Sequence, residues 1–169
     1  MVPPIGFSKD GIVEKPAIEV FRSLGWEYSN LFEERMGVDG DHGRDNRHEV
    51  ILKKDFYNSI RELNPQVRDS SIDQAYEEVA MDRTVMSQVN ANKEVYELLK
   101  SGFKARFENE NGDEDTEEVV LIDWKNPEKN HFLVAAQIWI SGEMHRRRPD
   151  LVGFVNGIPL VLCELKAPN

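Results

Sequence analysis

Apolar positions along the chain change their period near Gly102. Before it they recur at helical spacing. Over Glu14–Leu24, Ala17, Phe21 and Leu24 share a face with Ile18 alongside. Pro16 suits a first turn, where its missing N–H would be unpaired anyway, and Gly25 follows as a stop. The same spacing predicts helices over Lys54–Leu63, closed by Asn64-Pro65, over Ser71–Met81 with Ser70 or Ser71 as N-cap, and over Asn90–Leu99, closed by Ser101-Gly102. Residues 26–48 are polar and irregular and read as a mobile loop.

Beyond Gly102 the apolar residues come in short runs bounded by Gly, Asn and Pro: Phe103–Phe107, Glu118–Trp124, Phe132–Ile140, Asp150–Val155 and Leu160–Leu165. These are strand signals. Helices first and strands second, without βαβ alternation, predict an α+β domain with a mainly antiparallel or mixed sheet. The 169 residues suit one domain, helical over 1–102 and strand-rich over 103–169.

Charge changes this picture in one place. The chain carries 31 acids and 21 bases, a formal net charge of −10. On its face that disfavours nucleic acid. Seven of the acids, however, lie in Glu108–Glu118, around the turn signal Asn111-Gly112-Asp113. Without them 24 acids face 21 bases, a balance of −3. The surplus therefore belongs to one exposed hairpin tip. The opposite pole is His145-Arg146-Arg147-Arg148, a run of bases suited to DNA phosphates; Arg146, Arg147 and Arg148 are the candidate DNA-binding residues, and the loop 40–47 is a second candidate. The single Cys163 excludes an internal disulfide and fits a reducing cytoplasm, with the thiol expected in the core. No apolar run reaches the roughly 18 residues of a membrane helix, and the N-terminus has no signal-peptide pattern.

The last strands carry the chemistry. Asp150, Glu164 and Lys166 interrupt two otherwise apolar strands, where a buried carboxylate is expensive unless paired or ligating a metal. Glu164 and Lys166, two apart, share a strand face. Whether Asp150 joins them depends on the turn. A two-residue turn at Asn156-Gly157 makes cross-strand partners add to 313, which sets Asp150 against Cys163 and on the wrong face. A three-residue loop, Val155-Asn156-Gly157, makes them add to 312 and brings Asp150 onto the face of Glu164 and Lys166 as a diagonal neighbour of Glu164. That bulged turn, or another register of the same parity, is the expectation. Two such carboxylates suit Mg²⁺, and the lysine can stabilise charge on a reacting phosphoryl group. A salt-bridged Lys166 at a sheet edge accounts for the same residues structurally.

Pro149-Asp150 followed by Glu164-Leu165-Lys166 matches the PD-(D/E)xK nuclease pattern. The fuller run from Arg147 to Leu160, together with Leu121-Ile122-Asp123-Trp124, Asn130–Val134, Gln137 and Thr84-Val85-Met86, resembles the N-terminal endonuclease domain of the type I restriction enzyme R subunit. The resemblance runs from about Glu14 onward. It implies Mg²⁺-dependent cleavage of double-stranded DNA, as a type I site-specific deoxyribonuclease, inside an ATP-driven complex with modification (methyltransferase) and specificity subunits. By position it implies Asp150 and Glu164 as metal-binding acids, the Leu165 carbonyl as a further ligand and Lys166 as the catalytic lysine. Such nucleases often add an acid from the first core helix, and Glu14 is the choice for it.

Gln137, Asp123 and Cys163 read as structural, and His131 and His145 have no metal-ligand spacing. No G-x-x-x-x-G-K-[ST] phosphate loop is present, so ATP would enter only through a downstream motor. Family members also continue the core after the lysine with a helix bearing Gln and Tyr and a further strand, so the chain reads as a C-terminally truncated domain whose activity in isolation is open. The alternatives are a repair or junction nuclease with the same core, and a non-catalytic DNA-binding or assembly module.

Overall fold

A computed structural model describes residues 13–142 and 145–166. Four helices, α1 (Lys15–Ser23), α2 (Lys53–Leu63), α3 (Asp69–Ala80) and α4 (Gln88–Ser101), fall where the apolar spacing placed them. The Ser87 hydroxyl caps α4 by accepting from the Asn90 N–H. At α3 the expected cap differs: the helix begins at Asp69, and Ser71, inside it, donates its hydroxyl to Glu117 at 2.5 Å. The strands are β1 (Glu27–Asn30), β2 (Phe103–Glu108), β3 (Glu114–Val119), β4 (Phe132–Ala136), β5 (Ile140–Ser141), β6 (Arg146–Arg147), β7 (Leu151–Val155) and β8 (Ile158–Cys163). The fold is α+β.

β4 and β7 are the inner strands of a four-stranded sheet ordered β1-β4-β7-β8. β1 runs parallel to β4; the other two pairings are antiparallel. On one face Val134, Ala136 and Leu151 pack with Ile18 of α1, and Trp26 and Cys163 join them. Trp26 lies so close to Gly153 that a β-carbon there would meet its ring at 2.9 Å. On the other face Leu133, Ala135, Val152 and Phe154 pack with Leu31, Leu52 and Ile138. A separate cluster joins α2 and α3 to the β2–β3 hairpin through Phe56, Ile60, Ile72, Ala105 and Val119. The hairpin pairs from Phe103↔Val119 to Glu108↔Glu114, with the acidic turn at its tip.

Three expectations need correction. Residues 26–48 are not simply a mobile loop. They contain β1, and Arg44, wholly buried, ties the rest down through the carbonyls of Glu49 and Trp139 and the carboxylate of Glu34. The run to Trp124 leaves the sheet after Val119, because its backbone pairs with side chains instead: Asn64 bonds both the N–H and the C=O of Val120, and Asn156 donates to the Leu121 carbonyl. The run to Ile140 breaks at Gln137, whose φ of 60° lies in the left-handed region and ends β4.

Candidate active site

The hairpin that joins β7 to β8 decides how the chain's ionisable groups meet. Asn156 (φ 51°) and Gly157 (φ 76°) form a two-residue turn with Val155 opposite Ile158, not the three-residue loop expected. Glycine is required at 157 twice over: by its positive φ, and because a β-carbon would lie 2.5 Å from the Leu52 carbonyl and the Phe56 nitrogen. Asn156 tolerates its own left-handed backbone because its buried side chain is fully used. It accepts from His131 N–H and donates to the carbonyl of Leu121 and the side-chain oxygen of Asn130.

The register then shifts within β8. Phe154 faces Pro159 but Gly153 faces Val161, so Leu160 has no partner and forms a bulge. Beyond it partners add to 314: Val152 faces Leu162, and Leu151 faces Cys163. The parity is the one a shared face requires, reached by a different route. Continued by one residue, the register sets Asp150 directly beside Glu164 rather than diagonal to it. The backbone keeps Asp150 in this place, for the Leu165 N–H donates to Asp150 Oδ2 at 2.7 Å.

Asp150 and Glu14 are both buried, at 8% and 7% exposure. Gln137 links them. Its side-chain amide donates to both carboxylate oxygens of Glu14 at 3.1 Å, and its backbone N–H donates to the Asp150 carbonyl at 3.3 Å. The left-handed backbone of Gln137 lets one residue serve both directions. Gln137, read from the sequence as structural, is thus the junction between the α1 acid and the hairpin acid. Its place as an amide near the centre of the apolar run Phe132–Ile140 was the one available signal.

Glu164 and Lys166 are exposed, and neither forms an ion pair among the described residues. Leu165, between them, packs its side chain toward α1. By register, this end of the hairpin offers carboxylate and carbonyl oxygens, the set a hard divalent cation prefers. Among the described residues no group of three or more His, Cys, Asp or Glu is gathered to hold a metal ion. Two carboxylates are enough for Mg²⁺, which fills its octahedron with waters and substrate phosphate; the donor chemistry fits that ion.

Beside this hairpin stands a basic ribbon. β5 and β6 pair Ile140 with Arg147 and Ser141 with Arg146, and both arginines are exposed. The Arg148 guanidinium lies 5.2 Å from the ring centres of Phe32 and Trp139. In the loop 40–47 the expected phosphate contact is ruled out for Arg44, which is buried against Glu34 at 2.6 Å. Burial holds the Glu34 carboxyl above its ordinary range despite that partner.

A second polar cluster lies across β1, on the side of α2. Asp55 approaches His42 Nδ1 at 2.7 Å, and His42 Nε2 is 3.3 Å from the Ser29 hydroxyl. His131 bridges Asp55 and Glu27 at 3.9 and 3.2 Å. Burial opposes the charged form of His42, but Asp55, joined by Glu34 and Asp41, outweighs it and raises the His42 pKa. Asp123 is structural as expected: it accepts from the backbones of Lys125 and Asn126, and the Asn126 amide holds its carboxyl below the usual range.

The type I restriction enzyme R protein N terminus family matches residues 7–169. The type I restriction enzyme HindI endonuclease subunit of Haemophilus influenzae is 33% identical over 92% of this chain. The putative type I restriction enzyme MjaIXP endonuclease subunit of Methanocaldococcus jannaschii is 34% identical over 96% of it. In both, the aligned stretch is 15% of the relative's length. No helix among the described residues is long and apolar enough to cross a membrane. The chain belongs to the type I restriction enzyme R protein N-terminus family.

Proposed function

We propose that this chain is the nuclease portion of a type I restriction R subunit and hydrolyses phosphodiester bonds of double-stranded DNA at the β7–β8 hairpin. The observation that carries the reading is the Leu160 bulge: the register it leaves, Leu151 opposite Cys163, sets Asp150 beside Glu164 when continued by one residue. Asp150 and Glu164, with the Leu165 carbonyl, would hold Mg²⁺. The chemistry Mg²⁺ would supply there is Lewis-acid polarisation of a phosphoryl oxygen and a lowered pKa for a bound water.

The remaining work falls to the chain's own groups. The exposed Lys166 ammonium offsets negative charge that develops on the phosphoryl oxygens. The Leu165 N–H fixes one Asp150 oxygen, so the carboxylate meets substrate without reorganising. Glu14, held by Gln137, adds a second buried negative charge near the same hairpin end. The names of the relatives, endonuclease subunits of type I restriction enzymes, support the reading. So does the exposed basic ribbon beside Asp150. ATP, a downstream motor, and the modification and specificity subunits belong to the whole complex in a cytoplasmic setting, and this chain would act within it.

The test is nicking of supercoiled plasmid by the full-length protein with its partners, ATP and Mg²⁺. Asp150→Asn and Lys166→Ala should each slow cleavage by about a hundredfold or more with little change in unfolding temperature. Equal cleavage by native protein and both variants would sink the site. Absence of cleavage by the native complex would favour a DNA-binding or assembly module.

A further inference from the structure

We propose that Arg47 and Trp139, together with Arg148, form a clamp for DNA backbone phosphates, set beside the hairpin that carries Asp150. The inference rests on the nuclease reading above for its substrate and extends it to two residues outside the basic run.

The observation begins with arginine pairing. The chain has eleven arginines and a surplus of acids. Seven of them, Arg22, Arg35, Arg44, Arg61, Arg68, Arg83 and Arg106, each face a carboxylate. The other four, Arg47, Arg146, Arg147 and Arg148, have no carboxylate partner among the described residues. These four are not scattered. Arg146 and Arg147 form β6, Arg148 follows, and the Arg47 carbonyl accepts the Ser141 N–H of β5 at 2.8 Å. Four guanidinium groups that stand together with no acid partner among the described residues give a local positive field suited to an external anion.

The way two of them are held adds geometry to the charge. The Arg47 and Arg148 guanidinium centres both lie over the Trp139 ring, at 5.5 and 5.2 Å from its centre. A guanidinium held over an aromatic ring, with no carboxylate to engage it, keeps N–H donors for an external anion, and a guanidinium fork matches the oxygens of a phosphate. The arrangement is also built from beneath. Buried Arg44 donates to the Trp139 carbonyl at 2.9 Å and reaches the Arg47 carbonyl at 3.5 Å, and its charge is answered by Glu34. Arg44 is therefore a positioning residue: one internal guanidinium sets the backbone from which the outer arginine and the ring project. The chain continues from Trp139 back through Ile138 to Gln137, whose N–H bonds the Asp150 carbonyl, and from Arg148 through Pro149 to Asp150 itself. These links tie the clamp to the backbone that carries Asp150.

The test is fluorescence anisotropy with a short labelled DNA duplex, across a salt series, on the full-length protein carrying Asp150→Asn so that binding is read without cleavage. Each phosphate contact contributes about 0.9 to the slope of log affinity against log salt, or roughly eightfold at 0.1 M salt. Arg47→Ala and Arg148→Ala should each weaken binding by about that factor and flatten the slope by about 0.9, and Trp139→Ala should weaken it while Trp139→Phe restores most of it. Arg22→Ala, at a paired arginine on α1, should change nothing. Unfolding temperatures of all variants show that the fold persists. Affinities and slopes for Arg47→Ala and Arg148→Ala indistinguishable from the parent overturn the clamp. Cleavage by the otherwise native protein is scored separately: a clamp that binds in a protein that never cleaves keeps this inference and removes the nuclease reading, while cleavage unaffected by loss of both arginines does the reverse.

Discussion

Gln137 Nε2 lies 3.1 Å from both carboxylate oxygens of Glu14, a residue 123 positions earlier in the chain. Neither residue announces the other in sequence. Their bond brings the start of α1 to the end of β4, and the backbone of the same glutamine carries the link on to Asp150.

The left-handed φ at Gln137 makes two substitutions separable. Gln137→Ala loses the amide and leaves a buried carboxylate short of a donor, a cost of about 1–3 kcal/mol. Gln137→Gly loses the same bond but relieves a left-handed backbone that disfavours any β-carbon by roughly 1–2 kcal/mol. Urea unfolding should therefore place the glycine variant above the alanine variant in stability. The reverse order would mean that the backbone at 137 is not held as described.

Glu14→Gln tests the charge rather than the packing. If the Glu14 carboxylate serves the reaction, this variant should lower plasmid cleavage at least about tenfold while circular dichroism shows an unfolding midpoint close to native. A large drop in stability with proportionate loss of activity would assign Glu14 to the scaffold alone.

Arg44 and Glu34 form a wholly buried pair. Arg44→Met leaves Glu34 charged and unpaired inside the protein and should destabilise by about 3–5 kcal/mol. Replacing both, with Glu34→Leu added, should recover most of that loss, because neither buried charge remains. A double variant as unstable as the single one would show that the carbonyl bonds of Arg44, not the ion pair, dominate.

His42 gives a pH dependence with a definite sign. Its native pKa lies above the ordinary 6.5, with burial outweighed by Asp55 together with Glu34 and Asp41. The folded state then binds the proton more tightly than the unfolded chain, so the added stability is complete below about pH 6.5 and fades as pH rises through the native value. Thermal midpoints measured from pH 6 to 9 should fall more for the native protein than for Asp55→Asn. Parallel curves would refute the coupling.

Much of the fold was legible because its signals are local. The apolar stripe of α1, the Asn64-Pro65 stop and the turn signal Asn111-Gly112-Asp113 depend on neighbours within a few residues, and all three appear where expected, although the acids of 114–118 expected in the tip belong to β3. Two of the misreadings share one cause, a partner far away in sequence. Ser71 looked like a cap, yet its hydroxyl is taken by Glu117, 46 positions away. The strand expected through Trp124 ended at Val119 because Asn64 and Asn156 reach in from elsewhere to satisfy its backbone. β1 was hidden in a polar stretch because an edge strand with half-exposed residues carries little periodic signal.

The sequence by itself determined the helix-then-strand order, the isolation of the negative charge in one hairpin, and the spacing of Asp150, Glu164 and Lys166. These follow from residue type and short-range period. Only the tertiary structure decided that a bulge at Leu160 follows a tight Asn156-Gly157 turn, that Gln137 joins Glu14 to the Asp150 backbone, and that Arg44 turns inward while the Arg47 guanidinium lies over the Trp139 ring. Each of those outcomes turns on a partner far away in sequence, and a one-residue change of register or of side-chain direction costs nothing locally until that partner is in place.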